Sequence, residues 1–159
     1  NLGQKLISHF SSRGWQVIGL DKRAPRGITG AAVDLRVRSN KWTNLLNGVD
    51  TVIHLAAQNP FPHATWKDSV SSFDITANVF LAAVEKKVRR VIFASSNHVM
   101  GGLKEAGITI DEAPSITAGG TDPCPGTKIT YPAPSDSTPY ATAKLFGERL
   151  ARGISELPT

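Results

Sequence analysis

Three short apolar runs, at residues 15–21, 49–55 and 90–95, are separated by stretches whose apolar residues recur at helical spacing. That alternation narrows the fold more than any other feature of this chain. Apolar runs of strand length read as strands buried on both faces, and strands joined through helices run parallel. The first helix is expected around residues 3–10, where Leu6, Ile7 and Phe10 share a face and Gly14 stands ready to end it. A short strand at 31–35, a helix over 39–47, a longer helix over 66–86 and a final helix at 139–150 complete the rhythm. Pro139 falls in the first turn of that last helix, where a missing N–H costs nothing. The expected fold class is α/β: a Rossmann-like, doubly wound parallel sheet.

One region departs from the pattern. Residues 101–138 carry Pro114, Gly119-Gly120, Asp122-Pro123, Pro125-Gly126, Pro132 and Pro134. A stretch this long without periodicity is expected to serve function, so it reads as a substrate-side insertion loop. It would lie within a single partial domain covering 1–159. With 40% hydrophobic and 19% charged residues, the chain can build a core. No apolar run approaches the ~20 residues of a membrane helix, and the first residues carry no secretory pattern. Cys124 is the only cysteine, which fits a reducing, cytoplasmic setting. The charge of +5 is densest at residues 86–90, where a helix should end and cations are favoured. It therefore suits attraction of an anionic cofactor or substrate better than nucleic-acid binding. His9, His54, His63 and His98 lack metal-ligand spacing, and no Gly-x-Ser-x-Gly elbow marks a hydrolase.

A dinucleotide fold opens with a strand, a glycine-rich turn and a helix. Here the helix is present, and Asn1-Leu2-Gly3 reads as the tail of such a turn, with Gly3 as the glycine that allows close helix–strand packing. Asp21 ends the next strand, ~20 residues past the turn, where a carboxylate accepts hydrogen bonds from the adenosine ribose. A carboxylate there favours NAD, while Lys22 and Arg23 leave NADP open. The expectation is that a strand with two more glycines precedes Asn1 and that a substrate lobe follows Thr159.

Taken in order, Gly3, Asp21, Asp34-Leu35, His54-Leu55-Ala56-Ala57, Ser95-Ser96, Tyr140-x-x-x-Lys144 and Gly147-Glu148 form a set. The chain resembles the extended short-chain dehydrogenases, the NAD-dependent epimerase/dehydratase family. Within it, Ser95-Ser96-Asn97-His98-Val99-Met100-Gly101 is most similar to the uronate dehydrogenase branch. The resemblance implies that Asp34 and Leu35 contact the adenine edge and that the backbone of Leu55, Ala56 and Ala57 faces the cofactor. It implies too that Lys144 bonds the nicotinamide ribose and that Ser96 holds the reacting substrate oxygen. Asn97 and His98 would contact a substrate carboxylate or hydroxyls, with a strand-end turn as the plainer reading. A homodimer is frequent in the family. Two departures stand out: only Thr76 remains of the family's Asn-Val-x-Gly-Thr helix start, and the span from Ser96 to Tyr140 is long for the uronate branch.

The chemistry of the pair supports the resemblance. Tyr140 and Lys144 stand four apart, so they share a helix face. A phenol is a poor base at neutral pH, and a neighbouring ammonium favours its phenolate. Tyr140 can then accept a hydroxyl proton as hydride leaves for the nicotinamide. The first expectation is an NAD-dependent oxidoreductase acting on a small-molecule sugar or sugar acid. A nucleotide-sugar epimerase or dehydratase and a non-catalytic dinucleotide-sensing module are the alternatives. The segment alone may lack activity, because most of the glycine turn would lie before Asn1.

Overall fold

The computed structural model describes residues 2–23, 25–57, 65–100 and 138–156, so the insertion expected at 101–138 lies, apart from Thr138, outside the described residues. Helix α1 (Leu2–Ser11) ends where Gly14 turns to φ +78°. There the Gly14 N–H donates to the Ser11 carbonyl at 3.0 Å and the Trp15 N–H to the Phe10 carbonyl at 3.1 Å, closing the last turn. Trp15 packs edge-on against Phe10 and stays 63% exposed. It is therefore part of the helix stop and not of a buried strand, and β1 begins three residues later, at Ile18–Asp21.

Strand β1 pairs in parallel with β2 (Thr29–Ala32), which starts two residues before the expected strand. The register sets Gly19 opposite Gly30. A Cβ on Gly30 would stand 2.1 Å from the Gly19 carbonyl oxygen, so this pairing needs glycine. A short helix α2 (Asn40–Thr43) runs into a 3-10 turn at Asn44–Leu46, buries Trp42 and Leu46, and leads to β3 (Thr51–His54). The long helix α3 (Trp66–Glu85) follows, and then β4 (Arg90–Phe93), which pairs in parallel with β3. α3 ends with Lys87 in the left-handed region at φ 54°, where glycine is usual. Its closing bonds run from Val88 N–H to the Ala83 carbonyl at 2.9 Å and from Lys87 N–H to the Val84 carbonyl at 3.0 Å.

Among the described residues the parallel strands form two separate two-stranded ladders, β1-β2 and β3-β4. Burial on both faces is not met at β4, where Val91 and Ile92 are 37% and 47% exposed. The final helix, α4, runs over Pro139–Ser155. The described residues gather into two compact units. One holds the residues up to Ala57 together with Asp74–Ala94, and so both ladders. The other holds the residues up to Phe73 that precede Asp74, and those from Ser95 onward, and so α4. In the first unit Val33, Leu35, Trp42, Ile75, Val79 and Phe80 form the core. No helix among the described residues is long and apolar enough to cross a membrane.

Candidate active site

Helix α4 carries Tyr140 and Lys144, the pair expected to be catalytic. Thr138 caps it, accepting the Ala141 N–H on its side-chain oxygen at 3.2 Å, and Pro139 occupies the first turn. Ala141, Ala143, Lys144 and Gly147 are buried, so small residues seat the helix beside a lysine. Phe146 meets Phe73 edge-on at 5.0 Å. Lys144 is only 6% exposed, and its ammonium lies 5.8 Å from the centroid of the Tyr140 ring. Burial pushes the Lys144 ammonium below its ordinary pKa, because leaving water disfavours the charged form. The four-residue spacing anticipates a cation beside the phenol ring; its desolvation comes from the packing of the helix.

The segment after β4 meets α4 in the same unit. Residues 97–100 form a 3-10 turn, which starts when the Ser96 hydroxyl oxygen accepts the His98 N–H at 3.3 Å. The Ser96 hydroxyl in turn donates to Asn97 Oδ1 at 3.4 Å. The His98 ring meets Tyr140 edge-on, with centroids 5.6 Å apart and planes at 83°. Ser95 points elsewhere: its hydroxyl donates to the Glu148 carboxylate. Ser96, Asn97, His98, Tyr140 and Lys144 thus all fall in the second unit, with His98 in contact with Tyr140 and Lys144 against the same ring.

The residues expected at the cofactor fall in the first unit, apart from Tyr140 and Lys144. Gly3 lies in the first turn of α1. Asp21 is the exposed last residue of β1, with Oδ1 accepting the Arg23 N–H at 3.0 Å. Leu55, Ala56 and Ala57 follow the end of β3 as half-buried, irregular chain. The ends of β1 and β3, which belong to separate ladders, therefore present an exposed carboxylate able to accept from ribose hydroxyls and a stretch of backbone that suits a dinucleotide. Asp34 is tied locally: Arg36 Nε lies 2.9 Å from each carboxylate oxygen, and the Asp34 pKa is lowered to about 2 by that hydrogen bond. Leu35 is buried, and it offers its carbonyl to the Asn78 side-chain amide at 2.9 Å, as Arg36 does at 2.9 Å. His54 is buried among Phe80 and Phe93, with Nε2 at 3.3 Å from the Thr76 hydroxyl, which fits a buttress of the strand.

The geometry brings forward Asn78, which sequence reading passed over, and Glu148, which it placed in the ordered set without a role. Asn78 fixes the backbone after β2 from 43 residues away, and no local pattern marks it. Glu148 carried a signal, since it lies four residues beyond Lys144 on the same helix face.

Comparison with known proteins adds three kinds of likeness. The family model described as the NAD dependent epimerase/dehydratase family matches residues 1–157. An L-arabinose 1-dehydrogenase (NAD(P)(+)) of Haloferax volcanii is 33% identical over 94% of this chain and 56% of its own length. An NAD-dependent glucose-6-phosphate dehydrogenase of the same organism is 30% identical over 95% of this chain and 58% of its own. The chain thus spans about half the length of these curated relatives. A crystal structure of a short-chain dehydrogenase/reductase superfamily protein from Agrobacterium tumefaciens, with bound NAD, superposes with a TM-score of 0.73. It shares 23% identity, over 98% of this chain and 42% of that one, and so bears on the fold alone.

Proposed function

Because the chain belongs to the NAD-dependent epimerase/dehydratase family, we propose that the full-length protein is an NAD-dependent oxidoreductase of sugars or sugar acids, with Tyr140 as its base. The observation that carries this reading is the buried Lys144 ammonium 5.8 Å from the Tyr140 ring centroid. When bound, the nicotinamide supplies the hydride acceptor. The chain's own residues handle the proton and the position of the substrate. Tyr140, with the Lys144 ammonium beside its ring, takes the proton of a sugar hydroxyl. Ser96 holds the same oxygen through its hydroxyl. With Ser95 engaged by Glu148, Ser96 is the serine assigned to substrate. Asn97 and His98 line the substrate side.

Asp21 and the backbone of Leu55, Ala56 and Ala57 suit the adenosine half of the cofactor, with Gly3 in the helix turn that follows the phosphate cradle. Asp34 and Leu35 would border the adenine. The Asp34 carboxylate is already held by Arg36, so its contribution is to shape the loop through that ion pair. A uronate is the substrate favoured by the Asn97-His98 segment. Aldoses and sugar phosphates, the substrates named for the two Haloferax proteins, are the competing choices.

The test follows reduced-nicotinamide absorbance with full-length protein and galacturonate, glucuronate, L-arabinose, glucose 6-phosphate and UDP-sugars. Net NADH formation with a free sugar or uronate, lost in Tyr140→Phe, is the expected result. Product from a UDP-sugar without NADH accumulation would replace this reading with epimerisation or dehydration. Cofactor binding without turnover, unchanged by Tyr140→Phe, would leave a dinucleotide-sensing module.

A further inference from the structure

We propose that Glu148 is a positioning residue for the reaction: through the Ser95 hydroxyl it sets where Ser96 stands relative to Tyr140. The proposal rests on the reading of Tyr140 as the base.

Tyr140, Lys144 and Glu148 recur every four residues on α4. Each step of four turns the helix by only about 40° beyond a full rotation, so all three stay near one face. Glu148 lies about 12 Å along the axis from Tyr140. Side chains on a helix lean toward its N-terminus, so the Glu148 carboxylate reaches back toward Lys144 and Tyr140. Two contacts then join the segment after β4 to this face. The Ser95 hydroxyl donates to the Glu148 carboxylate, and the His98 ring stands edge-on to Tyr140 at 5.6 Å.

Three residue steps separate Ser95 from His98, and extended chain covers at most about 11 Å in three steps. One end of the segment is held near Tyr140 and the other by a side chain rooted two turns away. The 97–100 turn already packs on α4, and the Ser95 bond fixes the segment's near end, which sets its course along the helix. Ser96 lies between the two anchors, and its hydroxyl oxygen is further oriented by the His98 N–H at 3.3 Å. A charged acceptor makes the Ser95 bond stronger than one between neutral groups. Glu148 has no chemistry of its own in this scheme; it acts through Ser95.

The experiment uses the full-length protein with Glu148→Ala, Glu148→Gln, Ser95→Ala and the Ser95→Ala/Glu148→Ala double variant. Each alanine variant is expected to lower kcat by about ten- to a hundredfold, as misplaced reacting groups do, with NAD affinity unchanged. Glu148→Gln keeps an oxygen that accepts from Ser95 and should restore most of kcat. The double variant should be no slower than either single one, because both remove one contact. A loss in the double variant equal to the product of the singles, or a glutamine as damaging as alanine, overturns the proposal. Hydrogen exchange at the His98 and Val99 amides provides a readout independent of turnover. Those N–H groups bond the Ser96 hydroxyl and the Ser96 carbonyl, and they should exchange faster in both alanine variants. Unchanged exchange sinks the tie even where kcat falls. If wild-type protein turns over none of the sugars, the reading of Tyr140 as base fails separately, and the exchange rates alone decide whether Glu148 orders the Ser96 segment. Ser95→Ala removes only a hydroxyl and keeps the test open if a Glu148 variant does not fold.

Discussion

Lys144 works against the fold, and in the proposed function it works for the reaction. Its ammonium is buried and its pKa lies below the ordinary 10.5, with desolvation as the cause. The folded chain therefore holds this proton less tightly than the unfolded chain does. The resulting destabilisation is fully present at pH below the folded pKa and fades as pH rises through it toward the unfolded value. Replacing the lysine by an apolar side chain of similar length removes a buried charge. Lys144→Met is thus expected to cut turnover by about a hundredfold or more without lowering Tm. A clear fall in Tm with turnover retained would show that the lysine serves packing and not the Tyr140 phenol. The spacing of Tyr140 and Lys144 was legible in the sequence, because four residues on a helix always share a face. The burial was not, since nothing local to Lys144 says what covers it.

At the scale of elements, helices were read more accurately than strands. α1, α3 and α4 stand within a residue of their expected starts, because apolar periodicity and the Gly14 and Pro139 signals act locally. α4 continues to Ser155, past the expected end at residue 150. The described strands are all four residues long, and three of them, β1, β2 and β3, start off their expected positions. A strand's limits are set by its partner, and the partner is distant in sequence. The Gly19–Gly30 register pair is the clearest instance: each glycine alone looks like a loop residue, yet together they let β1 and β2 meet. With a Cβ 2.1 Å from a backbone oxygen, Gly30→Ala must push the strands apart. A loss of roughly 1–3 kcal/mol, typical of overpacking, is expected in urea unfolding. Gly14→Ala would strain a positive-φ turn but meets no neighbouring atom, so its cost is confined to the backbone. Equal tolerance of Gly30→Ala and an exposed-loop alanine would show that the ladder yields freely.

For the molecule as a whole, acid stability reports two arginine–carboxylate ties that lie far from Tyr140 and Lys144 in sequence. Asp34 and Asp50 are each lowered from 3.8 to about 2, by hydrogen bonds from Arg36 and Arg89 respectively. Arg89 reaches Asp50 with Nε at 2.6 Å and Nη2 at 3.2 Å, joining the residues just before β3 and β4. Between pH 4 and pH 2 the unfolded chain binds these protons more readily, so the stability the ties supply is complete above that window and is lost as pH falls through it. Tm should therefore drop across this window, less steeply in Asp50→Asn and less steeply in high salt, which screens exposed pairs. A Tm profile through pH 4 to 2 that Asp50→Asn leaves unaltered would exclude the Asp50 tie as a contributor. The sequence by itself determined the α/β class, the order of helices and strands, the parallel pairing and the shared face of Tyr140 and Lys144. All of these follow from short-range periodicity and from the fixed pitch of helix and strand. Only the tertiary structure decided that Ser95 bonds a carboxylate 53 residues away, that Lys144 is desolvated and that Gly30 closes on Gly19. These depend on which distant surfaces meet, and no local rule of the chain specifies that meeting.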